Sequence, residues 1–404
     1  MDVYVARQPI FKKNKKIFGY ELLFRGGMDN VFPDIDGDTA TSKLLSNTFF
    51  AIGMEKITGA KSAFINFTQN LIVKRVPLMF PRDRIVVEVL EDVQPEEAVI
   101  EVCKEFREKG YLIALDDFFY HSDLEPLIAT ANMIKFDFRA MSLEEVAACV
   151  KKLSEYKLEL LAEKVETYEE FEKAREMGFD FFQGYFFSKP EIIKGSDIST
   201  PQMHLLEIMA EANKDDFEFA KLEKTIARDV SISYKLMRYI NSSFFRRVEE
   251  ISSIKQAIVL LGERGIRRFV SLLVMSKLAS DKPHELVRTS IIRAKFCEMI
   301  GEMNGSGGIS PELFTLGLFS NIDAILDDRM EDIMKKLPLS SGIKEALVSG
   351  KGKLRDYLNL VIFYEKGDWD DVSETASLLG LKEEALPDRY LEAVGWAESL
   401  SNIQ

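Results

Sequence analysis

The chain has 404 residues, of which 46% are hydrophobic and 29% charged, with a formal net charge of −13. That length is too great for one core and calls for at least two domains, while the composition is that of an ordinary globular protein in water. The acidity argues against nucleic acid as a partner, because such binding rests on neutralising phosphates. No apolar run reaches the roughly 18–20 residues needed to span a bilayer, so no membrane span is expected. The opening MDVYVARQPI has neither the basic head nor the apolar core of a signal peptide. Cys103, Cys149 and Cys297 are scattered without metal-type spacing, which fits a reducing, cytoplasmic setting.

Up to about residue 190, short apolar runs alternate with longer charged segments. Strands are expected at SAFINF (62–67), RIVVEVL (84–90), YLIALDD (111–117), MIKFD (133–137), LELLAEKV (158–165) and FDFFQGYFF (179–187). Between them lie amphipathic stretches such as QPEEAVIEVCKEFREKG (94–110), which ends on a glycine suited to a helix C-terminus. Alternating strands and helices predict a parallel sheet, either open or closed into a barrel.

Polar residues fall at the C-terminal ends of these strands: Asn66, Glu88, Asp116 with Asp117, Asp137, and Glu163 with Glu166. In a (β/α) barrel those ends line one face, where reactive groups gather. An acidic residue there can also simply open a loop or cap a helix. Five successive strands, with Asn66 and Glu88 flanked by apolar residues on both sides, favour a shared site. Adjacent Asp116 and Asp117 repel each other and call for a cation. Lys135, set between Ile134 and Phe136, needs either a carboxylate partner or a functional reason to be there, and Asp137 is one candidate partner. His121 is expected to be a solvated side chain.

The pattern changes at EIIKGSDISTPQM (191–203), a polar stretch that reads as a linker. From His204 onward the apolar spacing is helical and strand alternation is absent. The expected domains are therefore residues 1–195, α/β, and residues 196–404, all-α.

The first half resembles the EAL domain family of cyclic di-GMP phosphodiesterases. The resemblance rests on RQPIF (7–11), GYELLFR (19–25), FINFTQNL (64–71), EVLE (88–91), ALDDF (114–118), IKFD (134–137), AEKVET (162–167) and FQGYFFSKP (182–190), in the family's order. It implies a TIM-type (β/α) barrel. It also implies metal ligands at Glu21, Asn66, Glu88, Asp116 and Asp117, with Glu163, Glu166 and Gln183 completing the site. Lys135 matches the lysine that positions or activates the attacking water, and Arg25 an arginine that contacts a substrate phosphate. Such oxygen ligands suit Mg²⁺ or Mn²⁺, and two ions about 3.5–4 Å apart serve an in-line phosphoryl displacement. Homodimer formation through a face of the barrel is a further implication.

The sequence departs from the family after Asp117. Where the family has a glycine-rich loop, this chain has FYHSDLEP, and Lys164 stands in place of a glycine. Phe67-Thr68 replaces Leu-Ser, and Glu91 is retained. The second half resembles the HDOD domain, a relative of the HD hydrolases, in INSSFF (240–245), SSIKQAIVLLGERGIRRFVSLLV (252–274), RTSIIRAKFCEMIG (288–301) and LFTLGLFSNIDAIL (313–326). Ser320 and Asn321 stand where catalytic relatives carry a His-Asp metal pair, and Thr289 where a histidine is common. Hydrolysis by this half is not expected. Its basic clusters, ERGIRR (263–268) and FFRRVEE (244–250), read as solvated helix faces.

Together the two halves imply a bacterial signal-transduction protein. One expectation is an inactive or weakly active EAL domain that binds metal, cyclic di-GMP or a protein partner, with the HDOD half as an interaction module for an unidentified protein. The alternative is an active Mg²⁺- or Mn²⁺-dependent phosphodiesterase that opens cyclic di-GMP to the linear dinucleotide.

Overall fold

The first strands form a hairpin that the six apolar runs do not announce. β1 (Val3–Lys12) and β2 (Ile17–Gly26) are antiparallel and joined by a turn in which Lys15 adopts φ +59°. A computed structural model describes residues 3–26, 54–189, 230–241, 251, 253–279, 282–303, 305, 308–337 and 339–401. The linker at 191–203, the cluster within 244–250 and the side chain of Arg25 lie outside the described residues. The chain divides into two units, Met1–Lys189 with Phe363–Asp370, and Pro190–Ile362 with Asp371–Gln404.

In the first unit, β3 (Ser62–Phe67), β4 (Ile85–Val89), β5 (Leu112–Leu115), β6 (Met133–Asp137), β7 (Glu159–Glu163) and β8 (Phe181–Gln183) follow in chain order. The eight strands close into a barrel in the order β1-β2-β3-β4-β5-β6-β7-β8. β2 through β8 run parallel, and β1 is antiparallel to both of its neighbours. This is the TIM-type barrel, modified by its opening hairpin. β4 and β6 are buried along their whole length, as strands covered on both faces require.

Strand register explains why the polar residues meet. Ile10, Phe64, Val86, Ala114, Met133, Leu161 and Phe181 form one buried cluster inside the barrel. Side chains two residues apart share a face of a strand. Two residues beyond each cluster member come Asn66, Glu88, Asp116, Lys135, Glu163 and Gln183, and two residues before Ile10 on the antiparallel β1 comes Gln8. Gln8 is the register partner of Glu21. One apolar layer thus plugs the barrel, and a polar layer lies above it at the C-terminal ends of the parallel strands. Burying a side chain such as Phe64 contributes about 1.5–3 kcal/mol, so the lower layer supports the upper one.

β4, β5, β7 and β8 are shorter than their expected runs, and the ends of β5 and β8 bear on the site. β5 stops at Leu115 and Asp117 turns away at φ +39°. β8 stops at Gln183 because Gly184 adopts φ +140° and the chain enters a short 3-10 helix, Tyr185–Ser188. A Cβ at position 184 would sit 2.1 Å from the Val165 carbonyl oxygen, so only glycine fits.

Among the described residues the second unit contains helices and no strand. Its most buried helix, His284–Met303, packs against Ser310–Phe319 at very close range. A Cβ at Gly317 would lie 2.5 Å from the Arg293 backbone, and one at Gly301 would lie 2.4 Å from Leu313. The helix Leu386–Ser401 brings Tyr390 edge-on to Phe296 with ring centroids 5.6 Å apart.

Candidate metal centre at the barrel mouth

Lys135 sits at the hub of the polar layer. Its Nζ lies 2.7 Å from Glu88 Oε1, 2.7 Å from Asp116 Oδ1, 2.8 Å from Glu163 Oε1 and 3.6 Å from Glu21 Oε2. Its side chain has no exposure at all. Lys135 therefore has carboxylate partners, but Asp137 is not among them. Asp137 instead pairs with Lys164, 2.5 Å away, and accepts from the backbone N–H groups of Arg139 and Ala140 at 2.6 and 3.1 Å. Asp137, two residues beyond Lys135 at the end of β6, is the register partner of Glu163, and its carboxylate is taken up by Lys164 and the turn that follows.

Four carboxylates around one ammonium leave a deficit of positive charge. Burial pushes the Glu88 carboxyl well above its usual range; Lys135 pulls it down, while Glu21 and Asp116 push it further up. Burial likewise pushes Glu163 up to about 8, opposed by Lys135 and reinforced by Asp116 and Glu21. Lys135 itself is raised although burial opposes its charge, because Glu163, Glu21, Glu88 and Asp116 surround it. The ammonium keeps its proton, and the cluster retains protons on carboxyls as well.

The amides are held by their nitrogens. Gln183 Nε2 donates to Glu21 Oε2 at 2.6 Å and to Gln8 Oε1 at 3.0 Å, and Asn66 Nδ2 donates to Glu21 Oε1 at 3.4 Å. The buried oxygens Asn66 Oδ1, Gln183 Oε1 and Asp117 Oδ1 accept no hydrogen bond. Asp116, Asp117 and Glu163 each offer an oxygen within 4.8 Å of the other two. Buried acceptors without donors, beside an excess of carboxylates, fit a hard divalent cation bound through oxygen.

The remaining expected residues are placed differently. Glu166 is exposed and does not join the hub; its carboxylate lies 3.3 Å from Lys189 Nζ and 3.9 Å from Arg139 Nε. Arg25 ends near the last residue of β2 opposite Tyr4. In the altered loop, Phe118 is buried against Phe136, Phe119 is 55% exposed, and the Tyr120 hydroxyl donates to Glu125 at 2.9 Å. His121 is exposed, with its Nδ1 3.3 Å from Asp123. Gln8 belongs to the polar layer but was not singled out by the sequence, and its place two residues before Ile10 was the available signal.

In the helical unit, the positions of the absent His-Asp pair are filled by a buried polar network. Arg293 Nη1 donates to Asn321 Oδ1 at 2.9 Å and to Ser320 Oγ at 3.2 Å, and Asn321 Nδ2 donates to Ser290 Oγ at 3.4 Å. Two of the three arginines of ERGIRR are paired, Arg267 with Glu263 at 2.5 Å and Arg268 with Glu298.

Comparison with known proteins gives the same two-part organisation. A family profile described as EAL domain matches residues 48–190, and one described as HDOD domain matches residues 198–343. A Vibrio cholerae protein named cyclic di-GMP phosphodiesterase CdgJ is 38% identical over 403 residues, 99% of this chain and 93% of that protein. The uncharacterized protein YuxH of Bacillus subtilis is 38% identical over 412 residues, covering both chains completely. Among solved structures, the Bacillus subtilis YkuI protein in complex with cyclic di-GMP and calcium is 21% identical, with a TM-score of 0.40 over 65% of this chain and 73% of that one. With a full-length relative at this identity and both domains matched in order, the chain belongs to the family of proteins that join an EAL domain to an HDOD domain.

Proposed function

We propose that the barrel is a divalent-metal-dependent phosphodiesterase site that opens cyclic di-GMP to the linear dinucleotide. The observation that carries this reading is the polar layer itself. Glu21, Asn66, Glu88, Asp116, Asp117, Glu163 and Gln183 gather about the mouth near Lys135, and buried oxygens of Asn66, Glu88, Asp117 and Gln183 lack a donor. The family membership and the name of the full-length Vibrio relative support the same chemistry.

Glu21, Asn66, Glu88, Asp116 and Asp117 would hold Mg²⁺ or Mn²⁺. The bound ions would supply the positive charge that lets a phosphodiester approach so acidic a mouth and would activate water. The chain's own groups do the rest. Lys135 fixes the carboxylates of Glu88, Asp116 and Glu163 and offers its ammonium to the water that attacks phosphorus. Gln183 and Asn66 hold the Glu21 carboxylate, and Gln8 steadies Gln183 by accepting from it. Arg25 meets a phosphate oxygen, and Glu166 acts from the rim through its contacts with Lys189 and Arg139. Water adds to one phosphorus, one P–O ester bond breaks, and the leaving oxygen takes up a proton.

A second reading is favoured by the loop after Asp117. Phe118 is locked into the core and Phe119 and Tyr120 replace glycines, so the loop lacks the freedom to close over a ligand. In that reading the site binds metal and cyclic di-GMP and passes a signal to a protein partner of the HDOD unit, with little or no turnover. Melting in Mn²⁺ with and without cyclic di-GMP tests what the readings share. Mn²⁺ should raise the Tm of the full-length protein, and Glu21→Ala or Asp116→Asn should abolish the rise. An unchanged Tm in saturating Mn²⁺ would remove both.

A further inference from the structure

The barrel unit includes one segment from far along the chain, Phe363–Asp370. It lies outside residues 48–190 and 198–343, which the two family profiles match, so neither domain pattern accounts for it. The segment packs on the opening hairpin, on the face that leads into the site. Side chains two residues apart share a face of a strand, so Tyr4, Ala6 and Gln8 continue the face of Ile10, and Leu23 continues that of Glu21. There Trp369 sits edge-on to Tyr4 with ring centroids 5.9 Å apart. Gly367 adopts φ +74°, and a Cβ on it would lie 2.9 Å from Leu23 Cδ1, so this close approach needs glycine. Lys366 Nζ lies 5.5 Å from the ring centroid of Tyr185, just past β8. Contacts with β1, β2 and the end of β8 thus fix the backbone from Lys366 to Trp369.

Lys366 is the last residue of the helix Lys353–Lys366, and the final carbonyls of a helix find no donor within it. Gln8 Nε2 donates to the Lys366 carbonyl at 3.1 Å. A carbonyl can only accept, so this bond decides which way the Gln8 amide faces, nitrogen to Lys366 and oxygen to the site. Gln8 Oε1 accepts from Gln183 Nε2 at 3.0 Å, and the same nitrogen donates to Glu21 Oε2 at 2.6 Å. The Gln183 amide is thereby set as well, with its nitrogen on Glu21 and its buried oxygen without a donor. A line of three hydrogen bonds therefore runs from the backbone at Lys366 through two amides to the Glu21 carboxylate.

We propose that Phe363–Asp370 is a working part of the metal site, and that Gln8 is the positioning residue through which it holds Glu21. The inference rests on the metal reading given above. Groups that orient a metal ligand are typically worth 10–100-fold in metal affinity, and Gln8 stands one step further out, so its share is smaller. A glutamate fixed in advance has less rotamer freedom to lose when an ion arrives. With the Lys366 carbonyl displaced, nothing fixes the outer end of Gln8, and Gln183 is left to follow Glu21 instead of anchoring it.

Calorimetric Mn²⁺ titration of the full-length protein, run as a double-mutant cycle, tests this. Gln8→Leu, which keeps the bulk and removes both hydrogen bonds, should bind Mn²⁺ about fivefold more weakly. Gly367→Ala leaves Gln8 intact but must shift the backbone beside the Lys366 carbonyl, and should weaken binding to a similar degree. Trp369→Leu, which loosens the same segment at Tyr4, should do likewise and replaces Gly367→Ala if that variant does not fold. Adding either segment change to Gln8→Leu should cost nothing further, because the line is already cut. Wild-type affinity in Gln8→Leu, or in both segment variants, would overturn the proposal, even where the metal-free Tm falls, since that would leave these residues a structural role alone. Additive losses would overturn it too, because the segment would then act on Glu21 through Leu23 and β2 and not through Gln8. If wild type binds no Mn²⁺, the metal reading itself falls and takes the proposal with it.

Discussion

Lys135 Nζ and Glu88 Oε1 lie 2.7 Å apart, and neither side chain has any contact with solvent. A buried ion pair is weak evidence for stability in itself, but removing one partner is severe because it strands the other charge. Lys135→Met should therefore destabilise the metal-free protein by about 3–5 kcal/mol. Urea denaturation in the presence of a chelator measures this.

The sign of the pH dependence follows from the same cluster. Burial raises Glu88 and brings Glu163 to about 8, against 4.5 for an ordinary glutamate. Between those values the folded metal-free protein holds protons that the unfolded chain has released. Its stability should therefore fall as pH rises from about 4.5 through about 8. Metal ions, by supplying the missing charge, should flatten this slope. A metal-free protein whose stability rises across that window would show that Lys135 alone neutralises the cluster.

Gly184 is the hinge on which the last strand ends. With φ +140° and a prospective Cβ 2.1 Å from Val165 O, Gly184→Ala must displace backbone that carries the Val165 N–H to Gln183 O bond. A loss of about 3 kcal/mol or more is expected. Since Gln183 steadies Glu21, Mn²⁺ binding should weaken too, and calorimetry on the folded fraction reads that directly.

In the helical unit, burial pushes Asp323 up to about 6; the backbone N–H of Ala324 and the charge of Arg293 oppose the shift. An acid whose folded value is raised destabilises the fold once ionised. Asp323→Asn should thus stabilise this unit above pH 6, by up to about 2 kcal/mol, and have little effect below pH 4. Thermal melts at pH 4 and pH 7.5 compare the two regimes.

Much of the barrel was legible because its strands are fully buried apolar runs ended by polar residues. Asn66, Glu88, Lys135 and Glu163 stand two residues after Phe64, Val86, Met133 and Leu161, a spacing visible in the sequence. The hairpin β1–β2 was not legible as strands, because VYVARQPIFK and IFGYELLFRG break the simple apolar pattern where Gln8 and Glu21 turn into the site and Arg7, on the other face, bonds the Ile57 carbonyl. The partner of Lys135 was misplaced for a similar reason. Asp137 is two residues away on the same strand face, but the four carboxylates that reach Lys135 come from four other strands or strand ends, a relation only the closed register creates. In the helical half, helices were evident from their spacing, whereas the Arg293–Asn321 network depends on the close approach permitted by Gly317.

The most direct test of the central claim is turnover by the purified full-length protein. Cyclic di-GMP and Mn²⁺ are supplied and linear dinucleotide is followed, with Glu21→Ala beside it. The account predicts metal-dependent product that falls by at least about a hundredfold in Glu21→Ala, as expected when a group holding the reacting centre is removed. Absence of linear product from wild type in saturating Mn²⁺ or Mg²⁺, or equal turnover in Glu21→Ala, would contradict it.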